Sequence, residues 1–344
     1  MHRPTLDQLP PPGAGRTGWP WTQASPDLPL TGPGGERWPR VSVVTPSYNQ
    51  ARFLEETIRS VLLQGYPNLE YIIIDGGSKD GSVEIIREYE GWLGYWVSES
   101  DRGQTHAINK GWARATGEVL AYINADDYYL PGTIGIAAKE FRARPNCGMV
   151  YGTAMIVDEA GNELRSWEAR PFDLRTMLAV GSIVPQPSVF FSSVALENVG
   201  YLNDRWQLIM DYDLSIRIGI HYPTVCIPRT LTQFRNHPQS KTRLRFEELA
   251  EELIEFITAF KSDQLSPKAW RRLQRAAMSR VHYELGLAYL TEGREDESKA
   301  FAELLRSILL YPPYALGRPG LTAHVIRRML GRQLRAITRS SSSS

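Results

Sequence analysis

Three short apolar runs, each followed by a helical pattern, constrain this chain more than any other feature. Residues 41–45 read VSVVT and are closed by Pro46, residues 71–75 read YIIID, and residues 119–123 read VLAYI. Runs this short with so few polar breaks are expected of strands buried on both faces. Between them, residues 51–63 place Leu54, Ile58, Val61 and Leu62 on one helical face. A second helix is expected near 83–90 and a third over 104–115, where Ala107, Ile108, Trp112 and Ala115 recur near a helical period. A further strand is expected at 96–98. Strand and helix alternating at this spacing predict an α/β fold with a doubly wound, mostly parallel sheet.

Ligands of such sheets bind beyond the carboxyl ends of the strands. The residues placed there are Tyr48 and Asn49, Asp75, Asp101, and the tetrapeptide Asn124-Ala125-Asp126-Asp127. Adjacent acids repel unless a cation or a proton intervenes. Mg²⁺ takes carboxylate oxygens together with substrate phosphates, so a metal–diphosphate site is one reading of Asp126 and Asp127. The other is that they begin a turn or cap the helix expected over 132–141. Asp75 can accept the imide N–H of a pyrimidine base or close an Asx-turn. Tyr48 can stack on a base, and Gly76-Gly77 lets backbone approach a ligand closely.

The rest of the chain is less regular. A strand at 149–151, a hairpin of 155–158 with 164–167, an edge segment at 184–191, and helices near 194–199 and 210–220 are expected. A short strand at 225–227 and a polar loop over 235–242 follow. From Arg245 onward the pattern is helical, and residues 267–290 with 295–310 look like one tetratricopeptide-type pair. One such unit cannot bury its own core, so it packs as a cap or offers a surface to a protein partner. Residues 1–40 form a Pro/Gly-rich extended arm whose Trp19, Trp21 and Trp38 suggest that it packs on the body. Residues 317–344 hold a basic amphipathic segment at 321–339 and a serine tail; the segment suits an anionic membrane face or a packed helix with a solvated basic side.

A net charge of +1 gives no support to a nucleic-acid-coating role. Two cysteines, Cys147 and Cys226, argue against a disulfide framework and fit a reducing compartment. No apolar run reaches the length of a membrane span and no signal-peptide pattern opens the chain. The expectation is a cytoplasmic protein, with peripheral contact at the inner face of the membrane through residues 321–339.

Six segments in order carry a resemblance to the family 2 glycosyltransferases: VSVVTPSYNQ, EYIIIDGGSKDGS, DRGQTHAINKGWARATGEVLAYINADD, VPQPSVF, MDYDL and RNHPQSKT. The match runs from about residue 41 to 242, with a helical extension over 243–316. The resemblance implies a GT-A fold and the inverting transfer of a sugar from a nucleoside-diphosphate-sugar, chiefly a UDP-sugar. The implied acceptor is a hydroxyl of a saccharide or lipid-linked saccharide. Thr45, Pro46, Tyr48, Asn49, Asp75, Gly76 and Gly77 fall on the nucleotide side, with Arg102 and Lys110 toward the diphosphate. The family's acidic metal motif falls on Asn124, Ala125 and Asp126. Asn stands where the family usually has its first Asp, which shifts the load to Asp126 and Asp127 with His237, for Mn²⁺ or Mg²⁺. Asp211 inherits the role of general base, beside Met210 where the family has Glu. Gln186, Ser188, Trp206 and Asp213 fall on the acceptor side. Two rival readings stand beside this: a nucleotidyltransferase, which usually has a Gly-rich basic loop where this chain has Pro46-Ser47-Tyr48-Asn49, and a non-catalytic scaffold on the same fold.

Overall fold

The computed structural model describes residues 3–261, 265–290 and 296–317. The basic segment expected over 321–339, the serine tail and the turn at 291–294 lie outside the described residues. The chain divides into two compact units, one of residues 1–174 and 182–240, the other of residues 175–181 and 241–344.

The first unit opens with β1 (Val41–Ser47), α1 (Ala51–Leu62), β2 (Leu69–Asp75), α2 (Ser82–Glu88), β3 (Tyr95–Ser98), α3 (Gln104–Trp112) and β4 (Val119–Tyr122). Then come β5 (Tyr128–Tyr129), α4 (Thr133–Ala143), β6 (Met149–Val157) and β7 (Glu163–Trp167). The second stretch of this unit adds β8 (Phe190–Ser192), α6 (Ser193–Val199), α7 (Met210–His221) and β9 (Thr224–Arg235), while α5 (Leu174–Val180), which lies between β7 and β8 in the chain, belongs but for Leu174 to the second unit. Among the described residues the strands form one sheet in the order β3-β2-β1-β4-β8-β6-β9-β5, with β7 on β6. Strands β3, β2, β1 and β4 are parallel, β8 runs against both β4 and β6, and β9 is parallel to β6. The carboxyl ends of β1, β2, β4 and β9 therefore share one edge.

Burial explains the central strands. Every residue of β1 and β4 is buried, and α1 covers them with Leu54, Ile58, Val61 and Leu62, all at most 3% exposed. On the other face Gly111 of α3 lies so close that a Cβ there would meet Val44 Cγ1 at 2.5 Å. That helix can sit on the sheet only with glycine at this place.

The short strand expected at 225–227 is in fact the twelve-residue β9. Its pairing with β6 jumps from Gly152↔Ile227 to Thr153↔Thr230, so Pro228 and Arg229 bulge out of the ladder. Proline cannot donate to a ladder, and a bulge is where a strand tolerates it.

The N-terminal arm is packed on the body. Trp38 is 4% exposed and gives its indole N–H to the Pro29 carbonyl at 2.9 Å. Trp19 donates to the Tyr129 carbonyl at 2.8 Å. Arg59 of α1 is fully buried and holds the arm from below. It donates to the carbonyls of Pro10 (2.8 Å), Pro20 (3.1 Å) and Trp21 (3.0 Å) and to the Tyr89 hydroxyl (3.1 Å).

The second unit contains α8 (Lys241–Leu244), α9 (Phe246–Ala259), α10 (Pro267–Ala288), α11 (Glu297–Leu310) and α12 (Pro312–Leu316). In α10, Gly286 lets α11 approach: a Cβ there would lie 2.8 Å from Leu304 Cγ and 3.1 Å from the Ala300 carbonyl. Phe301, Leu305 and Leu309, four residues apart, stay exposed on one face of α11. Among the described residues no helix is long and apolar enough to cross a membrane.

Candidate active site

At the carboxyl ends of β1 and β2 two loops meet at the surface. Tyr48 is 63% exposed, a large apolar surface left open beside the strand end. A Cβ on Gly76 would come within 3.2 Å of the Tyr48 ring and 3.0 Å of Asp101 Oδ2, so glycine allows these three to meet. Asn49 has a positive φ of 52°. It ties the two loops together, donating its N–H to Ser78 Oγ at 2.8 Å and accepting the Lys79 N–H on Oδ1 at 3.0 Å. Asp75 is buried and closes the β2–α2 turn. It accepts from the N–H groups of Gly77 and Ser78 and from the hydroxyls of Ser78 and Ser98, at 2.6 to 3.1 Å. Thr45 and Pro46 lie inside β1, where Thr45 shares a hydrogen bond of 2.9 Å with the Tyr71 hydroxyl. Tyr48 and Asn49 are exposed and Gly76 and Gly77 partly so, while the buried Thr45 and Asp75 support them from behind.

The two acids after β4 diverge. Asp126 is partly exposed and faces His237, with Oδ2 3.0 Å from Nε2. The His237 ring is buried and lies 5.3 Å from the ring of Phe53. Asp127 turns inward, 1% exposed. Its Oδ1 accepts the Arg235 N–H at 2.9 Å and its Oδ2 accepts from Asn124 Nδ2 at 3.3 Å. Burial first, then the charge of Asp126, pushes the Asp127 carboxyl well above the usual carboxylate range. The expectation that Asp127 joins Asp126 at a metal is corrected: its oxygens are engaged inside the fold, one by the β9 backbone and the other by Asn124.

Arg235, which no sequence signal singled out, organises this loop. Its guanidinium donates to the carbonyls of Asp126 (3.1 Å) and Glu159 (3.1 Å) and to Glu56 Oε2 (2.8 Å). It also lies over the Phe53 ring at 4.5 Å. The one available hint was an arginine two residues before His237.

On the other side, α7 begins at Met210 and carries Asp211 and Asp213 in its first turn. Carboxylates are favoured there by the helix dipole. Asp211 is half-buried, and its charge acts on the Tyr122 hydroxyl beneath it, where burial first and then Asp211 keep the phenol protonated. Asp213 is buried and grips Arg217 at 2.8 Å. Arg217 in turn donates to the carbonyls of Val199, Gly200 and Tyr201. The segment before α7 is stapled to α3: Thr105 donates to the Trp206 carbonyl, and the Asn109 carboxamide bonds Leu202 in both directions. Trp206 is 4% exposed. Gln186 opens a 3-10 turn (Gln186–Ser188) and reaches Asn124. Ser188 is wholly buried; its single O–H lies within reach of the carbonyls of Gly152 and Pro185, and its oxygen accepts the Gly152 N–H. Its placement on the acceptor side is therefore corrected to an internal stitch. Arg102 is largely exposed and 3.4 Å from Asp204, and Lys110, in the last turn of α3, pairs with Glu99.

The family model described as Glycosyl transferase family 2 matches residues 42–194. A protein of Mycobacterium tuberculosis (strain H37Rv) named as a glycosyltransferase is 32% identical over 195 residues, covering 56% of this chain and 72% of that protein. The chain belongs to glycosyl transferase family 2. The Bacillus subtilis glycosyltransferase TuaG, named for teichuronic acid biosynthesis, is 32% identical over 139 residues, or 40% of this chain and 55% of TuaG. Among solved structures, Staphylococcus aureus TarS 1-349 in complex with UDP-GlcNAc superposes with a TM-score of 0.58 at 15% identity, covering 80% and 82% of the two chains. The mannosyltransferase PcManGT of Pyrobaculum calidifontis, in complex with GDP-Man and Mn²⁺, gives 0.55 at 21% identity, covering 87% of each. At these identities the likeness shows the fold, which is GT-A.

The family 2 assignment makes a divalent ion relevant. Among the described residues no three His, Cys, Asp or Glu side chains gather into a cage for one. What exists is one carboxylate and one imidazole, Asp126 and His237, meeting at the sheet edge. That donor set does not fit an ion held by protein alone. A divalent ion held there would need further oxygen ligands from a substrate.

Proposed function

We propose that this family 2 enzyme transfers a sugar, with inversion, from a nucleoside-diphosphate-sugar to a hydroxyl of a saccharide or lipid-linked saccharide in polysaccharide biosynthesis. A UDP-sugar is the first donor to try. The ligands bound by the structural neighbours support the donor class, UDP-GlcNAc for TarS and GDP-Man for PcManGT. The name of TuaG supports polysaccharide biosynthesis. The observation that carries the reading is the meeting of Asp126 with His237, 111 residues apart, on the edge that also bears Tyr48.

In this reading Tyr48 stacks on the base while the loop closed by Asp75 and Asn49 brings the Gly76-Gly77 backbone to the nucleoside. Asp126 and His237 would hold the divalent ion, which when bound supplies Lewis-acid neutralisation of the diphosphate. Asp211 accepts the proton of the attacking hydroxyl. With one base and no covalent nucleophile assigned, the displacement is single and the anomeric centre inverts.

The test is a screen of nucleotide-sugars scored by release of free nucleoside diphosphate, run on wild type and Asp211→Asn. Loss of the base should lower the rate by about two to four orders of magnitude. Affinity for UDP in Mn²⁺, read by calorimetry, should stay unchanged, because the role is confined to the transition state. Normal transfer by Asp211→Asn would place the base elsewhere. Absence of any UDP or GDP binding by wild type would favour a scaffold role.

A further inference from the structure

Asn124 follows β4 at the edge where the donor and acceptor sides meet. A carboxamide has one oxygen and two N–H groups, and here all are engaged. Oδ1 accepts from Gln104 Nε2 at 2.6 Å. Nδ2 donates to Asp127 Oδ2 at 3.3 Å and to Gln186 Oε1 at 3.3 Å. Gln104 opens α3 directly after the loop of Asp101 and Arg102, which borders Gly76. Gln186 opens the turn that feeds β8, and its own Nε2 reaches the Tyr122 carbonyl at 3.4 Å. Asp127 is fastened to β9 through Arg235. Three segments distant in sequence thus meet on one side chain. Aspartate has the same size but offers no N–H, and alanine offers neither donor nor acceptor.

We propose that Asn124 is a positioning residue: a carboxamide clamp that sets Gln186 against the donor-side loop. It is not a metal ligand. The proposal rests on the glycosyltransferase reading for what lies on each side, while the clamp itself rests on hydrogen-bond geometry. Releasing it moves Gln186 and the acceptor with it. The Asp126–His237 pair is built from other residues and keeps its place.

The experiment compares Asn124→Ala, Asn124→Asp, Gln186→Ala and the double variant Asn124→Ala/Gln186→Ala in the full chain. Three quantities are read: UDP affinity in Mn²⁺ by calorimetry, kcat and KM for donor and acceptor, and amide hydrogen exchange over 184–190. The alanine variants should each lose about 10- to 100-fold in kcat/KM for the acceptor, the cost of a small misplacement. UDP affinity and donor KM should stay at wild-type values. Exchange over 184–190 should quicken in both Asn124 variants. The double variant should be no worse than the poorer single one, as expected for two members of one interaction. Asn124→Asp should behave like Asn124→Ala. Tighter UDP–Mn²⁺ binding by Asn124→Asp, losses that multiply in the double variant, or wild-type exchange over 184–190 would each overturn the clamp. If wild type moves no sugar, the functional reading fails, while calorimetry and exchange still decide the clamp. If Asn124→Ala does not fold, Gln186→Ala, which leaves the other two bonds of Asn124 intact, decides alone: wild-type kcat/KM for the acceptor refutes the proposal.

Discussion

Asp126 and Asp127 are chemical twins one position apart, yet the fold gives them opposite surroundings. Asp126 meets an imidazole at the sheet edge, and Asp127 is sealed against the backbone of Arg235. If Asp126 and His237 hold an ion as proposed, the consequence can be measured. Mn²⁺ alone should bind weakly, and UDP should bind much more tightly with Mn²⁺ than without it. His237→Ala should then lower UDP affinity in Mn²⁺ by at least about 10-fold and leave metal-free UDP affinity untouched. Calorimetry with and without the metal checks both arms; an equal loss in the two would mean that His237 acts through packing on Phe53. At this scale the sequence was only partly legible. Asp211 is proposed from its motif, and Tyr48 from its place after a strand. Ser188 was misplaced because a buried hydroxyl and an exposed one are written with the same letter. Arg235 was missed because its partners come from α1, the acidic loop and the β6–β7 turn, which only the folded chain brings together.

At the scale of elements, Glu70 shows what holds the amino ends of the central strands. From β2 it accepts from the Ser42 hydroxyl of β1, from the N–H (2.7 Å) and hydroxyl (3.0 Å) of Thr116 in the turn before β4, and from Arg40 (3.0 Å). Burial alone would raise its carboxyl; the hydrogen bonds of Ser42 and Thr116, with the charge of Arg40, outweigh it and hold the group below the usual glutamate range. A lowered folded value means the unfolded chain takes up the proton first. The stabilisation is therefore complete above the ordinary glutamate range and is lost as pH falls through the depressed value. Glu70→Gln should be less stable than wild type near pH 7, and the gap should narrow as pH falls below the ordinary glutamate range. Thermal unfolding midpoints across that range test this, and a gap independent of pH would refute it. Strands β1, β2 and β4 were legible in the sequence because both their faces are buried and each carries a short, mostly apolar run. The full length of β9 was not, since Pro228 and Arg229 read as an end until a bulge is seen to carry them.

Taken as a molecule, the first unit is larger than the stretch that the family model matches. The family match begins at residue 42, but Arg59, beneath the sheet's covering helix, has its backbone partners at Pro10, Pro20 and Trp21. Each carbonyl stripped of its partner in a dry interior costs about 1 to 3 kcal/mol. Arg59→Ala should therefore lower unfolding stability by several kcal/mol, on the order of 3, read as a shift of the urea midpoint. A change within about 0.5 kcal/mol would show the arm to be lightly held. The arginine and the arm are in this sense one heritable unit. A lineage that shed the first two dozen residues while keeping a cation at this place in α1 would carry a charge facing an empty socket, so the two features should be gained and lost together.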